Sequence, residues 1–262
     1  MKVGFVQTRP LFGKKENNLA KTLKFLSKAK ADIMVLPELF DTGYSFVSKK
    51  ELLELADPID KNDSITELKK YSRKTKTAIV AGIAERDGKR VFNSAVTILP
   101  SGKVELYRKI HLFFKEKLIF TPGNLQPQIV KYKQAKIGMM VCFDWIFPEM
   151  TRTLALKGAN LICHPSNLVL HYCQNAMVTR CIENSVFSVT CNRVGKEQRG
   201  GDSYTFTGFS RIISPFGETL SEGSKIKEQV CVVDIDLKGA ECKKLNEFND
   251  LFEDRRRKFY HI

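Results

Sequence analysis

The chain has 262 residues and a mass of 29.8 kDa, enough for one large domain or two small ones, and its 43% hydrophobic content can build a substantial core. No apolar stretch approaches the roughly 18 to 20 residues of a membrane span, and the first residues enter a strand-like run rather than a secretion signal. The net charge of +14 comes from scattered lysines that are not interleaved with aromatic residues, which argues against nucleic-acid binding and leaves attraction of anionic substrates open.

Strand-like runs recur along the whole chain, and helical patterns lie between several of them. The predicted strands cover residues 3–8, 33–36, 78–84, 91–99, 104–107, 137–141, 161–164, 186–191, 204–213 and 230–235. The predicted helices cover residues 18–29, 64–75 after a serine cap, 148–156 and 174–184. Because no linker or change in composition interrupts this pattern, we expect a single domain over residues 1–262.

The second predicted strand ends in a proline followed by a glutamate. Residues 33–36 are four consecutive apolar residues, typical of a strand that is buried on both faces. Glu38 therefore lies at the carboxyl end of a buried strand, where binding and catalytic groups of sheet proteins collect. A carboxylate there is costly unless it is used, so Glu38 is a candidate functional residue.

Lys109 follows the alternating strand over residues 104–107 and leads into apolar residues. By itself it would be taken for one more surface charge in a lysine-rich chain. Cys142 changes that interpretation, because the apolar run over residues 137–141 stops at its thiol and Pro148-Glu149 then opens a helical pattern. Glu38, Lys109 and Cys142 thus form a set placed at the ends of three separate strands.

Cys142 is expected to lie on a strand-to-helix turn. Unpaired backbone N–H groups and the helix dipole at such a turn can lower a thiol pKa and hold a developing oxyanion. The alternative is a buried cysteine that packs as a small hydrophobic residue. A cysteine–histidine pair would need His111 or His164 as its base, and we expect His111 to hydrogen-bond locally instead.

The remaining cysteines and histidines give no cofactor signal. Cys163, His164, His171 and Cys173 match no four-ligand zinc spacing, and neither a Gly-x-Gly-x-x-Gly nor a Walker loop occurs. We therefore expect no metal and no other cofactor. Seven cysteines without a regular disulfide spacing predict a reducing compartment, hence a cytoplasmic protein.

Three segments resemble the signature of the nitrilase superfamily of carbon–nitrogen hydrolases. They are Pro37-Glu38 after a buried strand, the Arg-Lys-x-His-Leu run over residues 108–112, and Cys-x-Asp at residues 142–144 followed by a Pro-Glu pair. They occur in the family's order, and each alone would be weak evidence. The family carries a second glutamate seven residues before the Gly of a Phe-Thr-Pro-Gly run, and Glu116 stands in that place here.

The resemblance implies an α/β (α+β) fold, a four-layer α-β-β-α sandwich with the active site where two sheets meet. It assigns Cys142 to nucleophilic attack, Glu38 to the base and acid roles, and Lys109 to the oxyanion. Glu116 would position Lys109 or the substrate amine, and the backbone N–H of Phe143 would be a second oxyanion donor. The products would form through a thioester, without a metal.

The substrate class is less well defined by the sequence. Family members that hydrolyse nitriles usually have Trp-Glu directly after the cysteine, whereas residues 143–145 read Phe-Asp-Trp, closer to amidases and carbamoylases. A small-molecule amide or N-carbamoyl substrate is therefore favoured. The alternatives are an aliphatic nitrile, or a catalytically silent binding or scaffold protein. Candidate substrate-binding residues, each of which could equally be packing, are Tyr44, Phe113, Trp145 and Asn167.

The resemblance also implies assembly into a homodimer or a higher even oligomer. It places the predicted helices at residues 148–156 and 174–184 on a two-fold interface. The charged tail, about residues 245–262, would reach over a neighbouring subunit. Neither nucleic acid nor a membrane is expected as a partner.

Overall fold

The computed structural model describes residues 1–260. Its helices are α1 (Lys15–Leu26), α2 (Lys49–Leu55), α3 (Asp63–Thr75), α4 (Glu116–Ile119), α5 (Pro148–Leu156) and α6 (Cys173–Asn184). Short 3-10 helices cover Ile59–Lys61, Cys142–Ile146, Leu237–Ala240 and Arg257–Phe259. Within this part of the chain, no helix combines the length and the apolar character that crossing a membrane requires.

The strands form two six-stranded sheets and a hairpin. The first sheet has the order β14 (Gln229–Asp234), β1 (Lys2–Gln7), β2 (Ile33–Val35), β3 (Ala78–Asp87), β4 (Arg90–Ile98) and β5 (Val104–Arg108). The second has the order β13 (Thr219–Glu222), β12 (Arg211–Ile213), β9 (Phe187–Cys191), β8 (Leu161–Pro165), β7 (Ala135–Met139) and β6 (Ile129–Tyr132). The hairpin joins β10 (Val194–Arg199) and β11 (Asp202–Thr207).

Each sheet has three parallel strands, β1–β2–β3 in the first and β7–β8–β9 in the second, with antiparallel strands outside them. Strands β1, β2 and β3 contact β8 and β9 across the space between the sheets. Parallel strands buried on both faces read as continuous apolar runs, which is why the sequence revealed them. The segments with Glu38 and Cys142 follow the parallel strands β2 and β7, whereas Lys109 follows the antiparallel edge strand β5.

Period-two alternation sorts the side chains of these strands between two cores. In β2, Ile33 and Val35 belong to the cluster between the sheets, and Met34 belongs to the cluster beneath α1 and α3. On the opposite side of the molecule, α5 packs on β7 and α6 packs on β9 and β12. The layer order is helix, sheet, sheet, helix, and the predicted four-layer α-β-β-α sandwich is confirmed.

Most predicted elements are confirmed, and the differences have local causes. The predicted strand over residues 204–213 is two strands, because Gly208 and Phe209 adopt positive φ angles of 64° and 52° between β11 and β12. Helix α3 is capped by Asn62, whose side chain accepts from the N–H of Ile65, and not by a serine. Strands β6, β10 and β13 and helices α2 and α4 were not predicted.

The tail that the sequence analysis assigned to residues 245–262 carries exposed apolar side chains. Leu245, Phe248 and Phe259 are each more than half exposed. Phe252 is only partly buried, and the Arg152 guanidinium of α5 lies 5.2 Å from its ring centroid. Residues 261 and 262 of that predicted tail lie outside the described residues.

Candidate active site

A buried lysine joins two carboxylates near the carboxyl end of β5. The Lys109 ammonium donates to Glu38 Oε1 at 2.8 Å and to Glu116 Oε1 at 2.9 Å, and all three side chains are at least 96% buried. Phe113 N–H holds the other oxygen of Glu116 at 3.0 Å. Two segments that are distant in sequence, one with Glu38 and one with Lys109 and Glu116, therefore meet in one cluster, which contains three of the four candidate catalytic side chains.

Two glycines allow the backbones that carry this cluster to pack closely. A Cβ at Gly82 in β3 would lie 2.4 Å from the Cα of Glu38, and one at Gly123 would lie 2.1 Å from the carbonyl oxygen of Arg108. Gly123 also donates its N–H to the carbonyl of Lys109 at 2.8 Å. A side chain at either position would displace the backbone beside Glu38 or Lys109.

Cys142 lies on the turn between β7 and α5, at the first residue of the 3-10 helix Cys142–Ile146. Its φ of 42° is in the left-handed region, a strained conformation for a residue with a side chain. The backbone N–H of Asn167 donates toward its sulfur, and His164 Nε2 lies 2.9 Å from its carbonyl oxygen. Phe143 follows in the first helical turn, where backbone N–H groups have no partner within the helix.

The expectation that the turn lowers the thiol pKa is wrong for this structure. Burial raises the pKa of Cys142 well above its ordinary value, and the charge of Glu38 adds to this, whereas Lys109 and the Asn167 N–H act against it. Burial by itself lowers the pKa of Lys109, but the Glu116 and Glu38 carboxylates outweigh it and hold that pKa well above the usual range. The resting cluster therefore contains an ammonium and a protonated thiol.

Burial also raises the pKa of Glu116, against the opposing effect of Lys109. The hydroxyl of Tyr44 faces the Glu116 carboxylate, and burial together with the nearby carboxylates raises the pKa of Tyr44 well above its ordinary value. Tyr44 is therefore a neutral hydroxyl donor beside Glu116. Together with Glu116 it lines a narrow cavity of about 30 Å³.

Neither histidine near the thiol is placed as its base. His111 Nδ1 lies 2.8 Å from Asp144 Oδ1, and its ring stacks on Phe147 with centroids 3.7 Å apart. His164 is fully buried, bonded to Thr190 and to the Cys142 carbonyl, and burial lowers its pKa to about 4. The predicted local hydrogen bond of His111 is confirmed.

Asp144 connects the turn that carries Cys142 to the segment that carries Lys109. Its carboxylate is fully buried and accepts from the Val141 N–H at 2.8 Å, from the Tyr107 hydroxyl at 2.7 Å and from His111. The Cys-x-Asp and Lys-x-His spacings thus have a physical meaning, because one carboxylate fixes both segments relative to each other.

A small cleft opens beside the thiol. Its volume is about 10 Å³, and its walls are Phe113, Cys142, Phe143, Trp145, Asn167, Leu168, Val169 and Leu170. Three of the four candidate substrate-binding residues, Phe113, Trp145 and Asn167, therefore lie around Cys142, whereas the fourth, Tyr44, lines a different cavity together with Glu116. The Asn167 amide nitrogen donates to the carbonyl of Glu38 at 2.9 Å, which ties this wall to the glutamate.

The sequence analysis missed two sets of residues around this cluster. Asn93 in β4 is fully buried and donates to Glu38 Oε1 at 2.6 Å. The buried pair Arg193 and Glu197 holds the chain at Tyr44, because Glu197 accepts from the N–H of Tyr44 at 3.1 Å. The available signal for Asn93 was weak, because Ser94 and Thr97 of the same strand are also polar.

Known proteins resemble this chain over almost its whole length. Residues 2–243 match the family model described as carbon-nitrogen hydrolase. A nitrilase of Pyrococcus abyssi (strain GE5 / Orsay) is 46% identical, with 99% of each chain covered, and a 2-oxoglutaramate amidase of Bacillus subtilis (strain 168) is 33% identical, with 95% of each covered.

Among solved structures, a carbon-nitrogen hydrolase from Helicobacter pylori G27 superposes with a TM-score of 0.83 at 27% identity, covering 99% of this chain and 96% of that one. The predicted resemblance and the predicted enzyme class are therefore confirmed. The chain belongs to the carbon–nitrogen hydrolase family of the nitrilase superfamily and is a hydrolase of carbon–nitrogen bonds.

Proposed function

We propose that the protein hydrolyses small-molecule amides or N-carbamoyl compounds, with Cys142 as nucleophile and a thioester as intermediate. The observation that carries this proposal is the state of Glu38. Lys109 and Asn93 hold its Oε1, whereas its buried Oε2 has no hydrogen-bond partner among residues 1–260. A carboxylate with one oxygen fixed and the other unpaired, near a buried thiol, is arranged to accept that thiol's proton.

In the first half-reaction, Glu38 Oε2 takes the proton of Cys142, and the sulfur bonds to the substrate carbonyl carbon. Lys109 and the backbone N–H of Phe143 stabilise the oxygen that becomes negative; one such donor is worth about 10² to 10³ in rate. The carbon–nitrogen bond then breaks as Glu38 returns the proton to the leaving nitrogen, and ammonia or an amine departs. The raised pKa of the thiol makes this base necessary, because the resting sulfur is protonated.

In the second half-reaction, Glu38 removes a proton from water, and the oxygen bonds to the thioester carbon. The carbon–sulfur bond breaks, the sulfur regains its proton from Glu38, and the carboxylic acid leaves. Glu116 keeps Lys109 in place throughout, because it holds the ammonium at 2.9 Å and is itself held by the Phe113 N–H. The balance is one amide and one water converted to one acid and one ammonia or amine.

Aliphatic nitrile hydrolysis is the second candidate, and the 46% identical relative described as a nitrilase favours it. It would use the same thiol attack and consume two waters. The assembled Glu38–Lys109–Glu116 cluster near Cys142 argues against the silent binding protein that the sequence left open.

A substrate panel tests this proposal. Short ω-amides, N-carbamoyl amines and amino acids, and aliphatic mono- and dinitriles are incubated with the enzyme, and ammonia and carboxylate are quantified, with carbon dioxide followed for the carbamoyl compounds. An amide or carbamoyl compound is expected to have the highest kcat/KM. A nitrile with the highest value would establish the second candidate, and no turnover of any class would reject catalysis.

We propose in addition that the chain forms a single domain and assembles into an even oligomer. A single domain over residues 1–262 is supported by the two sheets sharing one core. A homodimer or higher even oligomer through α5 and α6 is supported by their mutual contact and by the exposed side chains of Leu156 and Ile182, and the apolar tail supports its role as a subunit-contacting arm. Light scattering should give about twice the 29.8 kDa chain mass, or a multiple of that.

A cytoplasmic location is supported by seven free cysteines.

A further inference from the structure

Asn167 presents an unused acceptor in the cleft at Cys142. The residue is 2% exposed and lines the cleft together with the thiol. Its amide oxygen Oδ1 is buried and has no hydrogen-bond partner within the described part of the chain. Leaving a buried acceptor unpaired is unfavourable, because the group has lost its hydrogen bonds to water without replacing them, so an acceptor of this kind in a cleft indicates a ligand that brings a donor.

The neighbouring contacts fix which atom of Asn167 is the acceptor. Nδ2 donates to the carbonyl oxygen of Glu38 at 2.9 Å. Turning the amide over would place Oδ1 against that carbonyl, two acceptors without a proton between them, so the assignment is determined by chemistry. The backbone N–H of the same residue donates toward the Cys142 sulfur. Asn167 thus contacts the backbone of the proposed base with its side chain and the nucleophile with its main chain.

Asn167 lies next to the residue that the leaving nitrogen must reach. In the proposed reaction that nitrogen must come to the Glu38 carboxylate, where it receives a proton. The Asn167 side chain is bonded to the main-chain carbonyl of Glu38, so the cleft wall formed by Asn167 adjoins the residue that the leaving nitrogen must reach. A primary amide or a carbamoyl group carries N–H donors on that nitrogen, and a nitrile carries none.

We infer that Asn167 Oδ1 accepts a hydrogen bond from an N–H of the scissile amide or carbamoyl group, and that this contact selects such substrates over nitriles. The inference rests on the proposed function and adds a specificity residue to it. A site built to bond a donor discriminates strongly against an analogue that lacks it, because the buried acceptor then stays unpaired. A nitrile in this cleft would leave Asn167 Oδ1 without a donor.

Asn93 provides a matched control. It is also a fully buried asparagine with an unpaired Oδ1, and it also donates to Glu38, but it bonds the carboxylate from β4 and does not line the cleft. Replacing it disturbs the base without removing a contact to the leaving nitrogen. Asn93→Ala is therefore expected to lower amide and nitrile turnover by a similar factor.

The test compares butyramide with butyronitrile, which share one alkyl chain. The wild-type kcat/KM for the amide should exceed that for the nitrile by about 10²-fold or more, the range expected when a hydrogen-bonded donor is missing. Asn167→Ala should lower this ratio at least about tenfold, equivalent to one lost hydrogen bond. Asn93→Ala should leave the ratio unchanged. An unchanged ratio in Asn167→Ala, or a ratio that falls equally in Asn93→Ala, would overturn the inference.

Binding to the Cys142→Ala enzyme separates this inference from the proposed catalysis, because it needs no turnover. Butyramide should bind more tightly than butyronitrile by about tenfold or more, and adding Asn167→Ala should remove the difference. Equal binding of both compounds to the Cys142→Ala enzyme would reject the role of Asn167 even if amides are hydrolysed. Absence of amide turnover in the wild type, with the binding preference intact, would reject the proposed catalysis alone.

Discussion

Arg108 and Lys109 are adjacent in sequence, and each places a buried cation between two carboxylates. Arg108 pairs with Glu85 through two guanidinium nitrogens and also reaches Asp87 at 3.1 Å. The Ser94 hydroxyl donates to Glu85 at 2.6 Å, so both oxygens of that carboxylate are bonded. This network is complete.

The network around Lys109 has the same composition but is incomplete. Glu116 is held by Lys109 and by the Phe113 N–H, whereas Glu38 keeps Oε2 without a partner in the described residues. The unpaired oxygen belongs to the carboxylate whose charge acts on the thiol of Cys142. The two neighbouring cations thus differ in their partners: one carboxylate paired with Lys109 has an oxygen without a hydrogen bond in the described part of the chain, and the carboxylate paired with Arg108 does not.

The complete network has a structural role at this strand end, and the incomplete one can take part in a reaction. A buried ion pair whose hydrogen bonds are all made resists change, because any movement leaves a charge unpaired. An ion pair with one free oxygen can take up and return a proton without being broken. We expect substitutions around Arg108 to change the free energy of unfolding, and substitutions around Lys109 to change the rate of the reaction as well.

The largest expected effect is the removal of the thiol. Cys142→Ala should lower kcat on the best amide by about 10⁵-fold or more, the size found when the nucleophile of a covalent hydrolase is removed. Cys163→Ala is the matched control, because Cys163 is an equally buried thiol in β8 that burial alone keeps protonated. Its kcat should stay within about tenfold of wild type, since it makes no contact with Glu38. Equal losses in both variants would contradict the assignment.

The second effect compares the two cations directly. Lys109→Met should lower kcat by about 10³-fold, because it removes an oxyanion donor and lets Glu38 and Glu116 share a proton. Arg108→Met should leave kcat within tenfold and lower the free energy of unfolding by about 3 kcal/mol, because it leaves the buried Glu85 carboxylate without its cation. Steady-state kinetics and urea unfolding on both variants measure this. An Arg108→Met enzyme as slow as Lys109→Met would erase the distinction.

The sequence could not distinguish Arg108 from Lys109 by physics alone. Both follow the same alternating strand, and their partners Glu85 and Glu38 lie far away along the chain. The motif resemblance selected Lys109, and the structure supplies the reason, since successive side chains of an extended segment point to opposite faces. The predicted strands succeeded for the related reason that their apolar runs are buried on both faces.

The missed features depend on partners that only the folded chain brings together. Strand β10 contains Lys196, Glu197 and Arg199 and reads as a polar loop, yet Glu197 is buried because Arg193 neutralises it and the Tyr44 loop donates to it. Asp144 reads as an ordinary acidic residue after the cysteine. Its three donors come from segments around residues 107, 111 and 141, and no local pattern indicates such a meeting.

His164 contacts the Cys142 carbonyl, yet its own hydrogen bonds are complete, like those of the network around Arg108. Both ring nitrogens are bonded, and burial lowers its pKa from 6.5 to about 4. Between pH 6.5 and pH 4 the imidazole is protonated in the unfolded chain and neutral in the folded chain. The free energy of unfolding is therefore unaffected above about pH 6.5 and falls by about 3 kcal/mol as the pH decreases toward 4. His164→Asn should lose this part of the pH dependence. Urea unfolding of both proteins at about pH 7 and pH 4.5 measures it. An equal change in the free energy of unfolding between these pH values in both proteins would contradict the assignment.

The smallest effect is expected at Tyr44, which tests whether Glu116 also has spare bonding capacity. Burial, followed by the charges of Glu116 and Glu38, raises the pKa of Tyr44, so its hydroxyl remains a neutral donor toward Glu116 at any working pH. Tyr44→Phe removes that donor, but Lys109 and the Phe113 N–H still hold the carboxylate. The loss should therefore be about tenfold in kcat, the equivalent of one hydrogen bond.

Tyr204→Phe is the control, because that ring packs edge-on against Tyr44 with the ring centroids 5.5 Å apart. The kcat of Tyr204→Phe should change less than about twofold. A Tyr44→Phe loss near that of Lys109→Met would show that Glu116 depends on the hydroxyl and that its network is as incomplete as that of Glu38.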